Sequence, residues 1–241
     1  MCSAFFLLLN VAGGHALAKS TKEVLLMADE ARGNRSGMEW EVTVSSVEKG
    51  RQNEMVYNVK ARGFDILAVS LSPPNDKGNA ILMLNGSMWF HKPGLSKAVP
   101  ITQRQKLLGN AAYGDIAATN YANEYKALLL GEETEGDEVC YVYDLKAIEK
   151  KATYDGIKYW VSQQRLVGIK AEYFTVSGKP FKTATMEYEN NIQTEGKARP
   201  FISKMHIRDV LLTTDHTILT FNKANMREIP DHIFNLNLLV K

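Results

Sequence analysis

Cysteine is nearly missing from this chain of 241 residues, which has only Cys2 and Cys140. Cys2 precedes an apolar leader, so cleavage of that leader leaves Cys140 alone and rules out an intramolecular disulfide. A lone thiol cannot anchor a zinc cluster either. Cys140 lies in the alternating stretch "EVCYVYDL" and reads as a small core or wall residue. An excess of one charge is also lacking: 29 cations face 27 anions, a net charge of +2. That balance carries no electrostatic footprint for nucleic acid. No Pro/Ser-rich linker divides the chain, so one domain is expected. No apolar run reaches the roughly 20 residues that a membrane-spanning helix needs.

Catalytic signatures are missing as well. The chain contains no H-E-x-x-H, G-x-S-x-G, P-loop or G-x-G-x-x-G. His91, His206, His216 and His232 are not spaced with one another or with Cys140 as metal ligands would be. "HIRD" (His206 to Asp209) and Asp215-His216 could each supply a base and an orienting carboxylate, which keeps a hydrolytic site as a third-ranked alternative. Asp215-His216 reads first as a reversal, and neighbours on a strand point to opposite faces. The acidic run "GEETEGDE" lacks the spacing of a calcium loop and reads as a solvated hairpin turn. Neither an enzyme nor a cofactor or metal site is expected.

After Met1 and Cys2 comes "SAFFLLLNVAGG", an apolar segment of signal-peptide length. Ala16 and Ala18 supply the small residues of an A-x-A cleavage site, so residues 1–18 read as a signal peptide and 19–241 as the mature domain. The leader has no Lys or Arg, a departure from the usual basic start. "KSTKEVLLMADEARGN" then reads as a short helix with Val24, Leu25 and Ala28 on its apolar stripe.

After that helix the pattern is strand upon strand. "MEWEVTVSSVEKG" alternates Trp40, Val42 and Val44 against Glu39, Glu41 and Thr43. "EMVYNVKARG", "FDILAVSL" and "NAILMLNGSMWFHK" follow, the last broken by the hairpin signal Asn85-Gly86. The later half repeats the theme through "TFNKA". Strands arriving without intervening helices predict one large antiparallel sheet, and long consecutive strands must coil. The exceptions are the first helix, a helical run "YGDIAATNYANEY" within Leu107 to Tyr125, and the terminal "IPDHIFNLNLL". A coiled sheet with a few short helices suggests a covered mouth or a filled concavity, which suits apolar ligands.

The stretch "MWFHKPGLSKAVPIT", then a polar-basic segment, then "LLGNAAYGDIAATNYANEY" resembles the outer-membrane lipoprotein-sorting-like family, periplasmic relatives of the lipoprotein carrier LolA. Trp89, Pro93, Lys97, Ile101, Arg104, Gly109, Tyr113 and Asp115 carry the likeness. Asn110-Ala111-Ala112 stand where that family has polar and aromatic residues. The likeness extends over nearly the whole mature chain. It implies an incomplete antiparallel β-barrel, a half-barrel covered by short lid helices, and carriage of a lipid or of lipoprotein acyl chains through the periplasm. An accessory role beside an inner-membrane transporter or permease is the alternative it implies. The expected partners are therefore acyl chains and no nucleic acid, with the chain a monomer. The candidate lipid-binding wall is Trp40, Val42, Val44, Tyr57, Val59, Phe64, Ile66, Met88 and Phe90. The candidate lid is Leu107, Leu108 and Ile116, with Leu25 and Ala28 from the first helix.

Overall fold

The computed structural model describes residues 19–212 and 214–239, so the expected signal peptide lies outside the described residues. Helix α1 (Thr21–Glu30) starts with a capping box. The Ser20 hydroxyl accepts from Glu23 N, and the Glu23 carboxylate accepts from Ser20 N at 2.7 Å. Two otherwise orphaned donors are thereby satisfied. Val24, Leu25 and Ala28 form its buried stripe, as their spacing predicts.

A first meander runs through β1 (Met38–Glu48), β2 (Arg51–Arg62), β3 (Asp65–Ser72), β4 (Ala80–Leu84), β5 (Ser87–His91) and β6 (Val99–Ile101). The β4–β5 reversal uses Asn85 and Gly86, both at positive φ. That is the two-residue geometry that matches the twist of a hairpin. A small ladder of β7 (Lys106–Leu108) and β8 (Ala111–Ala112) leads to a single 3-10 turn and the one-turn helix α2 (Tyr121–Glu124). A second meander comprises β9 (Tyr125–Glu135), β10 (Glu138–Ala147), β11 (Gly156–Ser162), β12 (Gly168–Phe174) and β13 (Pro180–Glu187). The hairpin β14 (Asn190–Thr194) and β15 (Lys197–Phe201) precedes β16 (Lys204–Asp209), β17 (His216–Met226) and a terminal turn of helix, α3 (Leu236–Leu239).

Thirteen strands join in one sheet, in the order β6-β5-β4-β3-β2-β1-β17-β16-β13-β12-β11-β10-β9. Each neighbouring pair is antiparallel, and β6 and β9 are the sheet's two edges among the described residues, so the coiled sheet is a half-barrel. Alternation sends one side of β1 inward: Met38, Trp40, Val42 and Val44 are buried while Glu39, Glu41 and Thr43 are only partly covered. Inward residues from β1 to β17 make one continuous core with α1 and the segment 111–125.

The structure corrects two expectations. The stretch Leu107 to Tyr125 is not a helical flap: Leu107 and Leu108 belong to β7, and only Tyr121–Glu124 is α-helical. Gly109 fixes this, because it sits at φ +56° and an added Cβ would lie 2.2 Å from Thr217 Oγ1. Asp115 caps the start of the next turn by accepting from Ala112 N at 2.8 Å. The C-terminal segment covers no mouth. Ile229 and Phe234 pack on Leu82, with Leu67 beside them, on the convex face opposite Ile66 and Ala68. Hydrophobic residues on that face of β3 and β4 needed their own cover.

Candidate functional site

The concave face is apolar by pattern and closed by packing. Trp40, Val42, Val44, Tyr57, Val59, Ile66, Met88 and Ile116 are fully buried in one cluster with Leu25 and Ala28. Phe64, Phe90, Leu107 and Leu108 pack against the same cluster while keeping some exposure. All twelve sequence-derived positions are therefore gathered by the fold into one continuous apolar body. The sheet supplies the wall, while α1, β7 and the 3-10 turn supply the cover. Trp40 meets Phe201 with ring centroids 5.9 Å apart, so the β14–β15 hairpin also seals the concavity. That hairpin was absent from the sequence reading: its turn is Glu195-Gly196 and Pro200 lies inside its second strand.

At one end the apolar body gives way to a buried polar centre that no motif announced. Arg32, just past α1, is 6% exposed. Among the described residues its guanidinium has two hydrogen-bond partners, the Tyr121 hydroxyl at 3.5 Å and the Met205 sulfur at 3.6 Å, and it lies over the Tyr121 ring, 5.6 Å from the centroid. No carboxylate within 4 Å pairs with it among the described residues. Tyr121 packs edge-on to Tyr125 and Tyr159, and Tyr154 stacks on Tyr173 at 3.9 Å. The hydroxyls of Tyr159 and Tyr173 and Asp29 Oδ1 are buried without a partner among the described residues.

Nearby groups are better satisfied. Tyr154 donates to Asp115 at 2.8 Å and accepts from Lys182 Nζ at 3.0 Å, with Asp115 and Lys182 themselves 3.8 Å apart. Burial lowers the Lys182 ammonium pKa, opposed by Asp115. Burial likewise lifts the Asp29 carboxyl to about 7, against the hydrogen bond from Ala122 N and the attraction of Arg32. Glu124 rises to about 7 for the same first cause. Both acids are thus poised near neutrality.

A cavity of about 20 Å³ touches Arg32, Asp115, Tyr121 and Tyr154, room for about one water. Phe64, Asn120 and Glu124 also line an outer cleft of about 480 Å³, floored by the Asn85-Gly86 turn and Lys151.

The histidine alternatives do not assemble as pairs with their sequence neighbours. His206 Nε2 lies 2.8 Å from Glu187 on β13, and Asp209 instead accepts from Leu211 and Leu212 N. Asp215 accepts from Lys49 N. His91 faces the Leu95 carbonyl at 2.9 Å. Among the described residues no helix is long and apolar enough to cross a membrane.

A family model described only as an "uncharacterized protein"-like family matches residues 65–241. No curated protein matches. Among solved structures, a LolA superfamily protein from Nitrosomonas europaea is 30% identical with a TM-score of 0.80, covering 90% of this chain and 98% of that one. A protein domain from Vibrio parahaemolyticus described as outer membrane lipoprotein-sorting has 16% identity and a TM-score of 0.77, covering 91% and 98%. A DUF1329 family protein from Desulfovibrio piger has 17% identity and a TM-score of 0.75, covering 90% and 97%.

Proposed function

The chain belongs to the LolA superfamily, and from that premise we propose that it is a periplasmic carrier that shelters a lipid or lipoprotein acyl chain in its half-barrel and hands it between membranes. One observation supports this most: the twelve wall and lid positions form a single apolar cluster on the concave face beneath α1.

Side chains fill the concavity, so cargo has to displace cover. An acyl chain of about 16 carbons gains roughly 12 kcal/mol gross, at about 0.8 kcal/mol per buried methylene. Exposing Val24 and Leu25 of α1 costs about 1.5–3 kcal/mol each. The exchange favours entry, and the ordering of chain and lid returns the net affinity to a level compatible with release. α1 is the element suited to move. Its C-terminal end is tied down by Ile202 N donating to Ala31 O at 3.0 Å and by Asp29 accepting from Ala122 N, whereas its start is held by its own capping box.

Native mass spectrometry of gently purified protein mixed with lipid extract tests the carrier reading. Retained lipid mass is expected, and a persistently ligand-free protein would sink it. Val42→Glu should remove bound lipid while far-UV circular dichroism stays β-rich. Lipid surviving that change would take Val42 out of the wall.

A second reading, an accessory module that docks on a membrane transporter and holds no cargo, draws on the sheet edge. β9 is unpaired on one side and exposes Leu128, Leu129 and Leu130. Long apolar edges of this kind are templates for another strand. The ligand-free mass that defeats the carrier is the result this reading requires.

A further inference from the structure

We propose that Arg32 and the tyrosines around it receive a single carboxylate, so that the cargo is an acidic amphiphile whose head sits at this centre and whose tail lies along the apolar wall. The inference rests on the carrier reading and narrows its cargo. A neutral, fully esterified or amidated lipid would leave this centre without an occupant.

The starting observation is an imbalance. Arginine carries five N–H donors and stays charged in proteins. Here those donors are buried against one phenol at 3.5 Å and one thioether at 3.6 Å. A buried charge without a counter-ion is strongly unfavourable. The unpartnered hydroxyls of Tyr159 and Tyr173 add two more donors, from strands β11 and β12 on the wall. Tyr121, Tyr159, Tyr173 and Tyr188 all lie within electrostatic reach of the guanidinium. Asp115 answers Lys182 and Tyr154, while Asp29 attracts Arg32 without pairing with it and accepts from Ala122 N through one oxygen, the other having no partner among the described residues.

Charge and geometry select the ligand. The cavity beside Arg32, about 20 Å³ and also touched by Asp115 and Glu124, has room for about one water, so a head group enters by displacing part of its lining. A planar carboxylate presents two oxygens that match the guanidinium fork. A phosphate dianion brings twice the charge into a place with one unpaired cation. The outer cleft and this cavity share Phe64, Asn120 and Glu124 in their linings, which is the side from which a head group would enter. The apolar cluster continues from Tyr121 and Tyr159 to Val42 and Trp40, which is where a tail would lie.

Calorimetric titration with palmitate, hexadecanol and inorganic phosphate tests the assignment. Palmitate should bind at least roughly tenfold tighter than hexadecanol, as a charge-assisted hydrogen bond implies. Arg32→Gln should collapse that preference to about one. Tyr173→Phe should weaken palmitate several-fold while leaving the empty protein at least as stable, because it removes an unsatisfied buried hydroxyl. It decides the matter if Arg32→Gln does not fold. Equal affinity for palmitate and hexadecanol, or a preference that survives both substitutions, would overturn the proposal. So would phosphate binding more tightly than palmitate. Neutral lipid retained in the native mass experiment alongside equal alkyl affinities defeats this inference alone. No retained lipid and no binding of either alkyl probe defeats the carrier reading with it.

Discussion

Asp29 is where lid, polar centre and pH meet. Its carboxyl is shifted from 3.8 to about 7, first by burial, with Glu124 adding repulsion and Ala122 N, Tyr121 N and Arg32 opposing. The native state therefore binds more protons than the unfolded chain between about pH 4 and 7, so this group's contribution to stability falls as pH rises across that window and levels off above it. Asp29→Asn should flatten the slope and stabilise the protein at about pH 8 by up to about 4 kcal/mol, at 1.36 kcal/mol per pKa unit. Urea titrations at about pH 5 and 8 measure both effects, and equal slopes in the two proteins would rule the account out. Residues of this kind were the hardest to see in the sequence. Each of Tyr121, Tyr154, Tyr159 and Tyr173 reads separately as an ordinary strand or core aromatic. Only the fold brings them to Arg32, more than 80 positions away in sequence for the nearest of them.

Among the elements, those with local determinants were legible. The Asn85-Gly86 hairpin declares itself in two residues, α1 in its cap and stripe, and β1 in its alternation. The segment 107–125 misled because its composition suits a helix, while its conformation is dictated by what it touches. Gly109 presses on Ser46 and Thr217, and Gly114 on Thr153, closer than any Cβ allows. Gly109→Ala is therefore expected to destabilise the protein by about 1–3 kcal/mol, combining a strained φ with a steric clash. Chemical denaturation would show it, and a change under about 0.5 kcal/mol would mean that the contact relaxes. The strands differ in the same physical sense. Amides of central β1, paired on both sides, should exchange with deuterium far more slowly than those on the free side of β9. Uniform protection across the sheet would instead indicate that β9 is covered in solution.

For the whole molecule, the half-barrel and its apolar interior were predictable from strand pattern and family resemblance together, and the twelve wall and lid positions do share one cluster. Whether they hold cargo is a question of motion, because side chains pack the concavity shut. Trp40 offers a reporter: it is fully buried, contacts Phe201, and lies over Gly33 just beyond the lid helix. With Trp89 and Trp160 replaced by Phe, its emission should shift on cargo binding as α1 moves and acyl chain replaces side chains. Emission unchanged at saturating ligand would mean that loading leaves α1 in place.

The order of strands carries a consequence for how the protein comes to exist. The last strand, β17, lies in the middle of the sheet, joining β1 to β16 and so the first meander to the second. Met38 pairs with Met226, a separation that spans most of the chain. Until β17 has been made and has found its place, both halves present an open edge at what will become the deepest part of the wall. Such non-local closure is slow. The two halves thus stay incomplete while the polypeptide is still emerging, and the final closure of the wall waits on the last strand.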